Sequence, residues 1–184
     1  MNRINACLGL VAALTLASCG GGGSSTGLAS FFPADDEVSG WTRSPAGSEP
    51  QVAENADEAE ALVDGDIAPF EAAPSPFLAF AMQDYTDGTY LNRVRIWEVA
   101  DAAGCASTYD YLVTDVSTFS SKTWSDESIG DRGRSASGAA WWWFNACADK
   151  YFIEAKVEPI AGGSPDQTSY DLGLAFIQAM AAGM

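Results

Sequence analysis

Four consecutive aromatic side chains, Trp141 to Phe144, are the residues of this chain best suited to binding chemistry. In a β-strand, successive side chains point to opposite faces, so Trp141 and Trp143 would share one face and Trp142 and Phe144 the other. Two interpretations follow. Either both faces are buried between helices on one side and loops on the other, which we favour, or Trp141 and Trp143 are exposed and stack on sugars or on a partner protein.

Arg93 and Arg95 form a second candidate binding pair, because residues two apart in a strand share a face. They could contact the same ligand as the tryptophans. The chain has 25 acidic and 9 basic residues, however, and in such a chain we favour the interpretation that both arginines neutralise neighbouring carboxylates.

The composition argues against most catalytic chemistry. The chain has no histidine, which removes the usual base of Ser-His-Asp and Cys-His sites and the commonest transition-metal ligand. No glycine-rich phosphate loop follows a predicted strand. We therefore predict no catalytic residue, no metal and no cofactor. The alternative is a carboxylate-dependent hydrolase acting on envelope polysaccharide, which requires two carboxylates facing each other in a cleft.

Acidic residues could also gather around calcium, which accepts flexible oxygen ligands. The candidate residues for such a site are Asp64, Asp66, Asp126, Glu127 and Asp131. The chain lacks the twelve-residue calcium loop that ends in Glu. Because 25 acidic residues make some close pairs inevitable, we favour solvated carboxylates at the protein surface.

The N-terminus has the layout of a secretory signal, with a basic region around Arg3 and an apolar segment from Ala6 to Leu16. Leu16-Ala17-Ser18-Cys19 resembles the lipobox of bacterial lipoproteins, which implies cleavage before Cys19 and attachment of lipid to its sulfur. Two or three acyl chains hold a protein firmly on a bilayer. The alternative is an ordinary signal peptidase site beside an incidental cysteine.

Gly20 follows Cys19, whereas lipoproteins retained in the inner membrane carry Asp at that place, so the resemblance favours the outer membrane. The glycine- and serine-rich segment up to Gly27 has no side chain that could pack, which predicts a flexible tether. We expect three parts: a signal peptide at 1–18, a lipidated cysteine and tether at 19–30, and a single globular domain at 31–184.

The chain is strongly acidic, with a net charge of −16. Removal of the signal peptide takes away only Arg3 among the charged residues, which leaves a net charge of about −17. Nucleic acids and anionic lipid headgroups would be repelled. We therefore expect contact with the membrane through the lipid anchor alone, and no nucleic-acid partner.

Cys105 and Cys147 are the cysteines that remain once Cys7 leaves with the signal and Cys19 carries lipid. Two cysteines in an oxidising compartment usually pair, so we predict a disulfide that joins a helix to the sheet. The alternative is a reactive thiol pair, which we disfavour because the chain has neither a Cys-x-x-Cys motif nor a histidine.

Two hairpins form the predicted sheet. Phe77 to Tyr85 and Tyr90 to Val99 flank Asp87-Gly88, a strong turn signal. Ala139 to Ala146 and Tyr151 to Glu158 flank a turn at Cys147 to Lys150. A further strand is predicted over Thr118 to Trp124, and Ser125 to Ser137 is polar enough to predict a surface loop.

Helices are predicted at Asn55 to Val63, after the N-cap Asp101, and from the capping box at Ser164 to Gln167 towards the C-terminus. Phe31, Phe32 and Trp41, in an irregular N-terminal segment, are expected to anchor onto the core. Together these elements predict an α+β fold: an antiparallel sheet of about five to six strands with two to three helices packed mainly on one face.

Short motifs in the same order and spacing resemble an uncharacterised family of secreted bacterial proteins, over approximately Phe31 to the C-terminus. They are Phe32-Pro33, Ser39-Gly40-Trp41, Val63-Asp64-Gly65-Asp66, Tyr85, Arg95-Ile96-Trp97-Glu98, Ala106 to Tyr111 and Ile129-Gly130-Asp131. The resemblance implies the same order of elements and supplies no catalytic residues, because the family has no known activity.

From these observations we expect a lipid-anchored, non-catalytic binding or accessory module of the cell envelope. Its expected ligand is an envelope glycan or a partner protein. A structure that shows which aromatic faces are exposed would separate this expectation from the hydrolase alternative, which must place two carboxylates across a cleft.

Overall fold

The computed structural model describes residues 25–63 and 67–184. Within these ranges the chain forms an α+β fold with eight strands and five α-helices, which confirms the predicted class and exceeds both predicted numbers. The strands are β1 (Thr42–Arg43), β2 (Gln51–Ala53), β3 (Ala79–Thr86), β4 (Tyr90–Glu98), β5 (Ser125–Glu127), β6 (Arg132–Ser137), β7 (Trp142–Ala148) and β8 (Tyr151–Pro159). The helices are α1 (Ala56–Val63), α2 (Ala68–Glu71), α3 (Ala102–Asp115), α4 (Ser117–Ser120) and α5 (Gln167–Ala182).

All strands join one antiparallel sheet in the order β1-β3-β4-β8-β7-β6-β5, and β2 pairs with β3 on the same edge as β1. Both predicted hairpins are present. β3 and β4 are joined through Asp87-Gly88, where Gly88 has a φ of 88° that an L side chain rarely adopts. β7 and β8 are joined through Asp149, also at positive φ.

Helices cover both faces of the sheet, with four of the five on one face, which agrees with the predicted packing mainly on one face. One face packs against α1 to α4, with the side chains of Phe80, Trp97 and Phe152 beneath them. The other face packs against α5, whose Phe176, Ile177 and Met180 are buried. The side chains that point to either side of these strands are largely apolar. Both faces of the sheet must therefore be packed against other elements that shield them from water.

The N-terminal segment also contributes to the α5 face of the sheet. Phe32 and Trp41 are buried in the core there, as predicted. A 3-10 helix covers Ser25–Phe31, and its Leu28 is 1% exposed within the same core. Leu28 therefore packs on the core although it lies within the segment 19–30 that we predicted to hold the lipidated cysteine and the tether.

Helix α3 begins at the predicted cap, since the side chain of Asp101 accepts a hydrogen bond from the Gly104 N–H at 2.8 Å. Helix α5 begins later than predicted. Its N-cap is Asp166, whose carboxylate accepts from the Ser169 N–H while Ser169 Oγ accepts from the Asp166 N–H. This reciprocal pair satisfies two backbone donors, so Asp166 and Ser169 replace the predicted box at Ser164 and Gln167.

The segment from Thr118 to Ser137 differs most from the prediction. Where a strand was predicted, α4 makes a single helical turn that buries Phe119 against Trp143. Where a loop was predicted, β5 and β6 extend the sheet beyond β7. Four residues of β6, Gly133 to Ala136, are buried although the strand is polar.

Arg134 explains how a polar segment forms a buried strand. Its guanidinium donates to the Tyr109 carbonyl at 2.8 Å and lies over the rings of Tyr109 and Trp124, so its charge is covered by polar and aromatic groups. Burial lowers the pKa of Arg134 to about 10, which leaves the group charged at neutral pH. Hydrogen bonds thus stabilise this buried strand, which lacks the alternating apolar residues by which strands are usually predicted from sequence.

Cys105 of α3 and Cys147 of β7 form the predicted disulfide, with their Cα atoms 5.9 Å apart. Both residues are fully or almost fully buried. The bond closes a segment of 42 residues and attaches α3 to the middle of the sheet.

Candidate functional site

The aromatic strand β7 places its rings on opposite faces of the sheet. Trp143 lies on the face that α3 and α4 cover, where it is 4% exposed and packs edge-on against Phe119. Trp141 precedes the strand and lies partly buried beside Trp143, with ring centroids 6.0 Å apart. The candidate pair Trp141 and Trp143 is therefore not an exposed platform, because Trp143 belongs to the core.

Arg93 and Arg95 project from β4 on that same face. Arg93 forms an ion pair with Glu158 at 2.8 Å, and Arg95 forms one with the buried Glu154 at 3.6 Å. The two guanidinium groups thus act as counterions of carboxylates on the neighbouring strand β8, which is the interpretation that the acidic composition favoured.

On the α5 face, the ring of Trp142 is partly exposed. It borders an open depression of about 310 Å³ that we call the aromatic cup. The cup is lined by Ser125, Glu127, Ser135, Trp142, Gln167 and Tyr170. These residues come from β5, β6, β7 and the first turn of α5, so four elements meet at the site.

Strand register brings the sheet residues of the cup onto one face. Ser125 lies opposite Ser135 in the β5–β6 pair, and Ser135 lies opposite Phe144, which shares its side of β7 with Trp142. Glu127 is two residues beyond Ser125 and therefore points to the same side. The N-terminal end of α5 covers these strands and adds Gln167 and Tyr170.

Glu127 is the polar centre of the cup. Its Oε1 accepts hydrogen bonds from Ser135 Oγ and from the Tyr170 hydroxyl, each at 2.6 Å. Within the described part of the chain, Oε2 accepts no hydrogen bond and is not among the buried polar atoms that lack a partner. The carboxylate is thus fixed through one oxygen while the other can accept from a ligand.

Tyr170 keeps its proton in this arrangement. Burial, and secondly the hydrogen bond to Glu127, raise the pKa of the Tyr170 hydroxyl above its ordinary value. The hydroxyl therefore remains a donor at any physiological pH, and the orientation of Glu127 does not depend on titration of its partner.

Trp142 is also held in place. Its Nε1 donates to the carbonyl of Asp166 at 2.9 Å, and its ring meets Tyr170 edge-on with centroids 4.9 Å apart. Asp166 itself is fixed by the Ser169 backbone N–H and by the Tyr90 hydroxyl, which together lower the pKa of its carboxyl. The ring is consequently rigid at one edge, which reduces the entropy lost when a ligand stacks on it.

The cup has the donors and acceptors of a binding site and lacks a pair of catalytic acids. Glu127 is the one carboxylate among its lining residues. In residues 25–63 and 67–184, no three acidic or cysteine side chains come close enough together to hold a metal ion. Asp64 and Asp66, two of the calcium candidates, lie outside the described residues, as does the lipidation candidate Cys19.

The sequence alone predicted some of the residues that line the cup. It singled out the tryptophan run and predicted the C-terminal helix that carries Tyr170. It missed the roles of Glu127 and Ser135, because both lie in the segment predicted to be a loop. The alternation of Ser125, Glu127 and then Ser135, Ser137 around a glycine-containing turn is a strand signal, but it is a weak one without apolar residues.

Neither a protein-family profile nor a curated protein sequence matches this chain. Among solved structures, the chain is similar to the extracellular domain of PknH from Mycobacterium tuberculosis. The two share 12% sequence identity and a TM-score of 0.47 over 88% of this chain and 97% of that chain. A likeness at this level carries no inference about function.

No helix among residues 25–63 and 67–184 combines the length and the apolar character needed to cross a bilayer.

Proposed function

We propose that this chain is a lipid-anchored protein of the cell envelope that binds a saccharide unit in the aromatic cup and catalyses no reaction on it. The observation that supports this most strongly is the carboxylate of Glu127, fixed by Ser135 and Tyr170 beside the partly exposed ring of Trp142. An oriented acceptor next to an aromatic ring suits a ligand that is apolar on one face and hydroxylated at its edge.

Each lining group has a part in this proposal. The C–H face of a sugar ring would stack on Trp142, while its hydroxyl groups donate to Glu127 Oε2. Gln167 uses its Nε2 to donate to Asp171 at 2.8 Å, so its side-chain carbonyl is available as an acceptor. The hydroxyl of Ser125 can donate or accept.

The anchoring part of the proposal is based on the sequence. Leu16-Ala17-Ser18-Cys19 follows a basic and then an apolar segment, and Gly20 follows the cysteine. We infer that Cys19 carries lipid and that the protein resides at the outer membrane. An envelope location would place the cup among glycans, and the net charge of −16 would keep the domain clear of anionic headgroups.

A binding role suits the cup better than the hydrolase alternative. Glycoside hydrolysis requires an acid and a second carboxylate on opposite sides of the scissile bond. The lining of the cup supplies Glu127 alone, and the nearby carboxylate of Asp166 is engaged by Ser169 and Tyr90.

The test compares Glu127→Gln with the parent chain by calorimetric titration with two probes, soluble peptidoglycan fragments and outer-membrane O-polysaccharide. The amide keeps the shape of the carboxylate but loses its charge, and hydrogen bonds to charged groups contribute about 1.5–3 kcal/mol. We therefore expect a loss in affinity of roughly tenfold to a hundredfold.

Glu49→Gln is the matched control, since it removes one carboxylate whose side chain is 87% exposed and lies outside the cup. It should bind like the parent. Equal affinity of Glu127→Gln and the parent, or no binding of either glycan by the parent, would contradict the proposal. Release of new reducing ends from either glycan would support the hydrolase alternative instead.

A further inference from the structure

The aromatic cup uses most of its hydrogen-bond donors internally. The hydroxyls of Ser135 and Tyr170 both donate to Glu127 Oε1 at 2.6 Å. The indole N–H of Trp142 donates to the carbonyl of Asp166 at 2.9 Å. A hydroxyl or an indole carries only one hydrogen that it can donate. None of these three side chains therefore has a donor left for a ligand.

The acceptors of the cup, by contrast, are free. Among the described residues, Glu127 Oε2 accepts no hydrogen bond. The side-chain carbonyl of Gln167 accepts none either, since Nε2 is the atom that this residue uses to bind Asp171. A ligand that suits this lining has to bring donors of its own. An ammonium group brings three donors and no acceptor.

The carboxylate of Glu127 also lacks a positive partner. None of the ion pairs found in residues 25–63 and 67–184 includes it. Arg132 of β6 points to the face of the sheet opposite Ser135 and binds both carboxylate oxygens of Asp110, at 2.6 and 3.0 Å. Glu127 is partly buried, and a carboxylate in that position is stabilised by a cation.

The N-terminal end of α5 does not reverse this preference. A helix N-terminus carries a partial positive charge, which a carboxylate at the cap offsets. Asp166 supplies that carboxylate and accepts from the Ser169 N–H at 2.8 Å. The net charge of −16 additionally raises the concentration of cations around the domain.

Two aromatic rings stand beside the carboxylate. Tyr170 contacts both other groups, because its hydroxyl lies 2.6 Å from Glu127 Oε1 and its ring centroid lies 4.9 Å from that of Trp142. All three side chains line the same depression of about 310 Å³. Indole and phenol rings attract cations, so the rings and the carboxylate favour the same kind of ligand.

We propose that the cup binds an amino sugar whose amine is free and protonated, in preference to N-acetylated and neutral sugars. This inference rests on the proposed function and names the class of saccharide. The ammonium group donates to Glu127 Oε2 while the sugar ring stacks on Trp142. An N-acetyl group instead presents a carbonyl, to which Ser135 and Tyr170 can offer no hydrogen because both already donate to Glu127.

The experiment compares three β-linked disaccharides that differ only in the substituent at the second carbon of each ring. The glucosamine disaccharide carries ammonium groups, diacetylchitobiose carries acetamides and cellobiose carries hydroxyls. Calorimetric titration of the parent chain would be done at about pH 6, below the pKa of an amine. We expect the glucosamine disaccharide to bind about tenfold or more tightly than the other two. Added salt should weaken its binding and leave that of cellobiose nearly unchanged.

Glu127→Gln should remove the preference, because an amide has no charge to attract the ammonium group. Glu49→Gln is the matched control, since it makes the same change in net charge at a side chain that is 87% exposed and lies outside the cup. It should keep the preference of the parent. The comparison of the three probes uses the parent alone, so it decides the inference even if Glu127→Gln fails to fold.

The outcomes separate this inference from the proposed function. Equal affinity of the parent for all three disaccharides would overturn the inference and leave a saccharide site in place. Binding of none of them would count against both. A preference that persists in Glu127→Gln, or that disappears in Glu49→Gln, would assign the effect to overall charge and would also overturn the inference.

Discussion

Gly173 sets the distance between α5 and the sheet. A Cβ added at this position would come within 2.6 Å of Phe144 Cε2 and 2.7 Å of Val157 Cγ2. Glycine costs about 1 kcal/mol in a helix interior relative to alanine, so its presence is explained by the close approach it permits. Tyr170 lies one turn earlier on α5, which links this contact to the geometry of the cup.

Gly173→Ala is therefore expected to destabilise the fold although alanine favours helices. Overpacking a core typically costs about 1–3 kcal/mol, which outweighs the gain in helix propensity. Urea unfolding would measure the change. Gly183→Ala is the control, because its added Cβ would meet Met180 O at an ordinary 3.4 Å. A Gly173→Ala protein more stable than the parent would contradict the account of this contact.

The residues of the cup also differ in how well their roles can be predicted from the sequence. Trp142 could be singled out because a run of tryptophans is rare, whereas Glu127 is one of 25 acidic residues. What distinguishes Glu127 is the pair of hydroxyls, Ser135 and Tyr170, that the fold brings to it from 8 and 43 residues away. Such distant contacts leave no local pattern in the chain.

Among the elements, the disulfide couples α3 to β7, the strand that carries Trp142 towards the cup and Trp143 towards the core. A bond that closes a segment of 42 residues restricts the unfolded chain substantially. It also holds α3 over the buried Arg134 through Tyr109.

Replacing both Cys105 and Cys147 by Ser is expected to lower the free energy of unfolding by about 3–4 kcal/mol. Chemical denaturation of the variant and the parent would measure this loss. Adding a reductant should lower the stability of the parent and leave that of the double variant unchanged. Equal stability of variant and parent would show that packing alone holds α3 on the sheet.

Predictability differs from element to element for physical reasons. The β3–β4 and β7–β8 hairpins were predicted because apolar and β-branched residues flank clear turns. β5 and β6 were missed because ion pairs, cation–π contacts and hydrogen bonds replace apolar burial there. α4 was taken for a strand because one helical turn is too short to show a period of 3.6 residues.

For the whole molecule, the net charge bears on the lipid anchoring that we propose. A net charge of −16 opposes adsorption to an anionic membrane, so the membrane association that we propose would require the lipid at Cys19. Acyl chains contribute about 0.8 kcal/mol for each buried methylene, which is enough to overcome this repulsion when two or three chains are present.

Cys19→Ala is expected to release the protein from outer membranes into the soluble fraction. Membrane fractionation followed by immunoblotting would measure the distribution. The variant that lacks Cys105 and Cys147 serves as the control, since it keeps Cys19 and should sediment with membranes. Continued sedimentation of Cys19→Ala with the outer membrane would rule out the lipid anchor.

Helix α5 has a different neighbour at each end. Its first turn borders the cup, while Met180 and Gly183 near its C-terminal end line a depression together with Ser30 and Phe31 of the N-terminal segment. A helix of 16 residues is about 24 Å long. If the chain is anchored through Cys19, as we propose, the bilayer would be attached near one end of this helix and the cup would open near the other. The glycan site that we propose would then lie at the end of the domain opposite the attachment of its tether.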